Sequence, residues 1–168
     1  MQIRELHEPT QAEFDGLCDV LIDCVEGGAS VSFMQPMTRE KAQAFWRQVA
    51  QSAARGERVL IAARDDGRIV GTVQVLLDMP ENQPHRGDVL KMLVQRTARK
   101  RGVGEALMRA AEQAAAQRGK TVLVLDTASA DAERLYERCG WQRVGAIPNY
   151  ALLPQGGLCG TVYFHKQL

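Results

Sequence analysis

Six residues, Arg99-Lys100-Arg101-Gly102-Val103-Gly104, stand between an apolar stretch ending at Val94 and an amphipathic, alanine-rich stretch opening at Glu105. An extended segment, a tight glycine turn and a helix must follow one another in that order, which commits the chain to an α/β architecture. Two glycines flanking one valine let the backbone approach a bulky anion. A helix starting there also offers unpaired N–H groups and the positive end of its dipole. With three cationic side chains over the same spot, the turn reads as a seat for a pyrophosphate. Taken alone it has a plainer reading, a solvated basic turn whose glycine starts a helix.

Composition narrows the partners. The 168 residues predict one domain over 1–168, long enough to bury roughly 70% of the surface its unfolded form exposes. A net charge of +1 gives no whole-molecule attraction to nucleic acid or anionic membrane, so neither is an expected partner. The N-terminal Gln2-Ile3-Arg4-Glu5-Leu6 carries no signal-peptide pattern. No apolar run reaches the roughly 18 to 20 residues of a membrane span, and a cytoplasmic protein is expected. Cys18, Cys24, Cys139 and Cys159 are scattered singly and are expected to be buried apolar residues. His7, His85 and His165 share no ligand spacing, so no metal is expected.

Periodicity supplies the rest of the architecture. Thr10-Gln11-Ala12-Glu13 is a capping-box pattern, and Phe14, Leu17, Cys18, Leu21, Ile22 and Val25 continue it as a helix from Gln11 to Glu26. Gly27-Gly28 stops that helix. A loop from Ala29 to Met37 follows, and Thr38 caps a second helix bearing Ala42, Phe45, Trp46 and Val49, so two helices precede the sheet. Val59 to Ala63 and Ile69 to Leu77 predict a hairpin around Asp66-Gly67. After a loop, Asp88 to Val94 is a strand leading into the glycine turn and a helix running to about Arg118, with a small-residue face of Leu107, Ala110, Ala111 and Ala114. Thr121 to Asp126 is a buried strand and Ser129 to Cys139 a short helix. Trp141 to Gly145 and Thr161 to His165 are two last strands around a loop from Pro148 to Gly157. The pattern predicts a largely antiparallel sheet with one parallel crossover. Gly102-x-Gly104 lacks the third glycine of a dinucleotide fingerprint. Gly119-Lys120-Thr121 lacks the first glycine of a Walker loop and leads into a strand.

The strand Val89 to Val94, the Arg-x-x-Gly-x-Gly turn of Arg99 to Gly104, and Ala132-Glu133-Arg134-Leu135-Tyr136-Glu137-Arg138-Cys139-Gly140-Trp141 together resemble the GNAT superfamily of acyl-CoA-dependent N-acetyltransferases. These motifs cover the central half of the chain. The resemblance implies a mixed, mostly antiparallel splayed sheet flanked by helices, with pantetheine held between two central strands. Gly27 to Met34, Arg86-Gly87-Asp88-Val89, Leu125-Asp126-Thr127, Pro148-Asn149-Tyr150 and Val162-Tyr163-Phe164 further resemble tabtoxin-resistance acetyltransferases, which acetylate a β-lactam amino-acid toxin.

These resemblances imply acetyl-CoA as co-substrate, no metal, and a small amine acceptor of the amino-acid or antibiotic kind. A homodimer is common in the family. A protein or peptide amine is the alternative acceptor, and a non-catalytic acyl-CoA-binding module the alternative from another class. Leu93 and Val94 would pair with pantetheine through their backbones, the Val94 N–H would polarise the thioester carbonyl, and Arg99, Arg101, Gly102, Val103, Gly104 and Glu105 would surround the pyrophosphate. Tyr136 would meet the cofactor sulfur. A phenol of reference pKa about 10 can share a proton with a thiolate of about 8.5, although packing beside Leu135 is its plainer role. Ser129 stands where many relatives carry a cofactor-contacting asparagine.

Asp88 opens the strand that leads to the turn and Asp126 ends the next, so on a splayed parallel pair both carboxylates can face an acceptor amine and take its proton. The residues alone equally allow a surface charge at Asp88 and a helix cap at Asp126. The resembling subgroup has a longer Glu at the position of Asp88. The Gly27 to Met34 loop with Phe33, and Arg86 and Tyr150, are candidates for acceptor binding, with Phe33 and Met34 open to a core role as well.

Overall fold

The computed structural model describes residues 1–168. In chain order the elements are β1 (Gln2–Glu5), α1 (Gln11–Glu26), α2 (Arg39–Ala54), β2 (Arg58–Asp65), β3 (Arg68–Leu76), β4 (Arg86–Val94), α3 (Val103–Gln117), β5 (Val122–Thr127), α4 (Ala130–Arg138), β6 (Gln142–Leu152) and β7 (Leu158–Gln167), with a 3-10 turn at Arg96–Ala98. The strands form one seven-stranded sheet in the order β1-β2-β3-β4-β5-β7-β6. Only β4 and β5 are parallel, joined by the crossover through α3.

Alternation along the strands builds a core on each face. Val59, Ile61, Val73, Val75, Leu123 and Phe164 point to the side covered by α3 and α4, where Leu107, Met108 and Ala111 meet them. Leu60, Ala62, Ile69 and Leu93 point to the opposite side, under α1 and α2, against Leu17, Leu21 and Trp46. The capping box of α1 forms as its sequence predicts, with Thr10 accepting from the Glu13 N–H and Glu13 accepting from the Thr10 N–H. Thr38 caps α2 in the simpler way.

The central pair, β4 and β5, parts company early. Its register holds only from Arg86↔Val122 to Asp88↔Val124, after which β4 runs on to Val94 and β5 to Thr127 unpaired with each other. A bulge adds to the divergence. Thr72 pairs with Leu93 and Gln74 with Leu90, so Val73 alone faces both Lys91 and Met92, and Lys91 takes φ 50°.

Three expectations are corrected. A strand, β1, precedes the two helices. It has little alternation of its own and is specified by pairing Gln2–Glu5 with Arg64–Ile61 of β2. The loop expected from Pro148 is strand as far as Leu152. β6 is the sheet's edge, and the register breaks between Ile147 and Ala151, which tolerates a proline. Cys18 and Cys24 are buried as expected, but Cys139 and Cys159 are only half-buried. No helix is long and apolar enough to cross a membrane.

Candidate active site

The glycine turn is the start of α3. Gly102 is the residue before the helix, at φ 80°, and no side chain caps the end. A side chain at Gly102 would meet nothing within 4 Å, so the backbone angle, not crowding, requires glycine. The first helical bond runs from the Ala106 N–H to the Gly102 carbonyl, 3.1 Å, which leaves the N–H groups of Val103, Gly104 and Glu105 as the helix's free donors. Gly104 lies against Leu135 of α4, since a Cβ there would come within 2.9 Å of Leu135 Cδ2. Val103 is buried, and Glu105 pairs with Arg109 at 2.7 Å. This set of main-chain donors at a positive dipole end fits a diphosphate.

The flanking cations hold partners within the chain. Arg101 donates to Asp65 at 2.8 Å, and Arg99 Nε donates to the Val94 carbonyl at 3.2 Å. Arg101 is thereby tied to the far end of β2, and Arg99 folds back on the end of β4.

Along the paired stretch of β4 and β5 and just past it, the sheet carries charge. Asp88 accepts from Arg86, whose Nε also donates to Gln83 at 2.7 Å. Burial holds the Asp88 carboxyl above its ordinary value of 3.8 against the pull of Arg86, and the Asp126 charge adds to the rise. Asp126 accepts from Thr161 Oγ1 at 2.6 Å and pairs in register with Tyr163. It does not cap α4, because Ser129 does so through the Ala132 N–H. Ser129 thus has a structural duty where many relatives carry asparagine. Tyr163 and Tyr150 share a hydrogen bond of 2.8 Å, and that bond, with burial and the neighbouring acids, pushes the Tyr163 phenol up to about 12.

A cleft of about 300 Å³ opens between Asp126, Thr127 and Thr161 on one side and the α1–α2 loop on the other, with Ser30, Ser32, Phe33 and Met34 facing Tyr150. Phe33 and Tyr150 are therefore brought together at one cleft. Arg86 is not among the lining residues and instead binds Asp88. Phe33 also stacks edge-on against Phe45 at 5.2 Å, so it serves core and cleft together.

Tyr136 reaches from α4 with its ring packed edge-on against Phe164 at 5.8 Å and tilted against Trp141 at 6.2 Å. The residue is 5% exposed, and its hydroxyl makes no hydrogen bond within the chain. Only Trp46 Nε1 and Gln74 Nε2 are sealed polar atoms without partners, so the Tyr136 hydroxyl retains access to open space. Burial, then the Asp126 and Cys139 charges, raises its pKa well above that of a free phenol and keeps it protonated at neutral pH.

Ser30 and Ser32 belong to the Gly27 to Met34 loop expected at the acceptor site, whereas Lys91, Thr161 and Tyr163 were not foreseen there. One signal was present, a lysine in the middle of the apolar run Val89 to Val94. No group of three or more His, Cys, Asp or Glu side chains is arranged to hold a metal ion.

The fold is shared with known proteins. The structure superposes on a ribosomal-protein-alanine N-acetyltransferase from Brucella melitensis with TM-score 0.82, 20% identity and 100% of both chains covered. It superposes equally well, TM-score 0.82, on a GNAT superfamily phosphinothricin acetyltransferase from Sinorhizobium meliloti in complex with AcCoA, at 14% identity over 99% of this chain and 88% of that one. In sequence it is 32% identical over 112 residues to an uncharacterized N-acetyltransferase in the hisH-hisA intergenic region of Azospirillum brasilense, covering 66% of this chain and 65% of that relative. Residues 21–141 match the family model of the GNAT acetyltransferases, and the chain belongs to that acetyltransferase (GNAT) family.

Proposed function

We propose that residues 1–168 form one transferase domain that moves an acetyl group from acetyl-CoA to the primary amine of a small, polar acceptor of the amino-acid, antibiotic or toxin kind. The carrying observation is the split between β4 and β5, which lies between a strand leading to the free N–H groups of α3 and a strand whose last residues, Asp126 and Thr127, line the cleft. Acetyl-CoA supplies the thioester, with an electrophilic acetyl carbon and a thiolate leaving group.

This chain's residues supply the rest. The N–H groups of Val103, Gly104 and Glu105 receive the pyrophosphate, and the main chain of Leu93 and Val94 faces pantetheine along the split. Asp126 and Asp88 bind the acceptor ammonium and take its proton, through water where Asp88 is too short, leaving the amine free to attack directly. A carboxyl raised by burial is suited to accepting that proton. Tyr136, protonated and with its hydroxyl free of partners within the chain, gives a proton to the departing sulfur.

A small acceptor is supported by the modest volume of the cleft and by the resemblance to tabtoxin-resistance enzymes. The test is thiol release from acetyl-CoA across amino acids, β-lactam dipeptides, aminoglycosides, polyamines and peptides. Release with a small amine is expected. Release with peptides alone refutes the acceptor class, and binding of acetyl-CoA with no release from any acceptor refutes the transferase reading.

A further inference from the structure

Lys91 is the least explained charge in the molecule. It interrupts an apolar strand at a bulge, adopts φ 50°, and places Nζ 3.0 Å from Ser32 Oγ, a hydroxyl that lines the cleft. No carboxylate lies within 4.0 Å of it, whereas most of the arginines and Lys166 pair with one. Burial lowers its pKa, Asp126 works against that loss, and Arg58 adds to it. The ammonium thus faces Asp126 from beyond ion-pair distance, beside the cleft.

A second cation acts on it, and that one reaches a carboxylate, Glu57, only through the Ser52 hydroxyl. Arg58 is half-buried, likewise lacks a carboxylate within 4.0 Å, and donates to Gln74 Oε1 at 2.7 Å and Ser52 Oγ at 2.9 Å. Gln74 is fully buried, pairs in register with Leu90 beside Lys91, and has its amide nitrogen unpartnered. Lys91 thus has a single neutral acceptor and the Gln74 amide nitrogen none, an arrangement that an arriving anion at Lys91 would stabilise. Asp88 and Asp126 form the complementary half, with acceptors for an ammonium.

We infer that Lys91, seated by Ser32 and backed by the positive charge of Arg58, binds a carboxylate of the acceptor, so that the substrates are amines bearing a carboxylate, of the amino-acid kind. The inference rests on the transferase reading above. An amino-acid zwitterion laid between Lys91 and Asp126 satisfies both halves at once, and its ammonium is presented to the acids that deprotonate it. Gln74 acts by positioning Arg58.

The experiment measures kcat/KM for thiol release with L-amino acids, their carboxamides and their decarboxylated amines, in the wild type, Lys91→Gln and Lys91→Arg. A charge-assisted contact predicts that the wild type favours each acid over its carboxamide by about 10- to 100-fold. The ratio is expected to fall towards one in Lys91→Gln, chiefly through KM, and to be largely restored in Lys91→Arg. Acetyl-CoA binding by calorimetry verifies that each variant is folded. Carboxamides or plain amines as good as the acids in the wild type, or an unchanged ratio in Lys91→Gln, overturn the carboxylate assignment and leave the transferase standing. Thiol release from no amine at all overturns the transferase reading and this inference with it.

Discussion

Replacing Tyr136 by phenylalanine separates chemistry from packing more cleanly than any other single change in this protein. The ring sits among Phe164 and Trp141 at centroid distances of 5.8 and 6.2 Å, and phenylalanine keeps both contacts. Because the hydroxyl has no partner within the chain and still reaches open space, its removal orphans nothing. Stability should change by less than about 1 kcal/mol, a melting shift of at most about 4 °C for a chain of this size. Loss of a proton donor to the leaving thiolate costs far more in rate, about 10²- to 10⁴-fold in kcat. The assay is steady-state thiol release at saturating acetyl-CoA, with a thermal melt and a calorimetric acetyl-CoA titration on the same preparation. The raised pKa adds a second readout, since the wild type should show no loss of kcat from phenol ionisation up to at least about pH 10. A kcat within about threefold of wild type, in a folded variant that binds acetyl-CoA normally, would refute the assignment.

The other perturbations probe the charge at the split, the pivot of the sheet and the N-terminal helix. Asp126→Asn removes a negative charge that holds the Asp88 carboxyl up, so the acid limb of kcat/KM should move to lower pH, and an acid limb that stays or rises counts against coupling of the two carboxylates. Gly87→Ala puts a methyl 3.0 Å from Leu123 Cδ2 and 3.2 Å from the Leu76 carbonyl, where Gly145→Ala meets nothing within 4 Å. Denaturant unfolding should show a loss of about 1 to 3 kcal/mol for the first and under about 0.5 for the second, and equal losses would contradict the packing account. Glu13 is buried, which raises its pKa, but the Thr10 N–H and hydroxyl with Arg4 and Arg64 outweigh burial and bring the folded value below 4.5. The native state therefore favours the carboxylate, and its stabilisation is present above the unfolded value and disappears as pH falls through the folded one. Glu13→Gln should lose about 1 to 3 kcal/mol at pH 7 and less at pH 3, so a pH-independent loss in thermal melts would be the contrary result.

Local rules account for what could be read beforehand. The capping box of Thr10 and Glu13, the Asp66-Gly67 turn and the Gly102 start of α3 are each written within a few residues, and each stands where its residues place it. β1 and the outer half of β6 were hidden because partners specify them. Four half-exposed residues become a strand only beside β2, and a proline-bearing segment does so only at a sheet edge. The same division holds at the candidate site. Asp126 and Phe33 line the cleft and Arg86 pairs with Asp88 two residues along the same strand, whereas the pairing of Arg101 with Asp65 depends on the turn before α3 meeting the end of β2. Lys91 was visible as an anomaly in a strand, but its direction depends on a bulge whose register no local pattern encodes.

The three-residue seam between β4 and β5 also makes the sheet a lever. Everything N-terminal to the seam carries α1, α2 and the cleft loop, and everything C-terminal to it carries Asp126 and Tyr136. From Asp88 to Val94 the arm of β4 that is paired with β3 but not with β5 is about 20 Å long, so a rotation of about 3° at the seam displaces the tip by about 1 Å. That is the scale on which misplacement of reacting groups costs orders of magnitude in rate. Small volume changes at Gly87 or Leu123, neither of which lines the cleft, therefore act on the reaction through angle, and drift at such positions can retune the acceptor site without altering any residue in it.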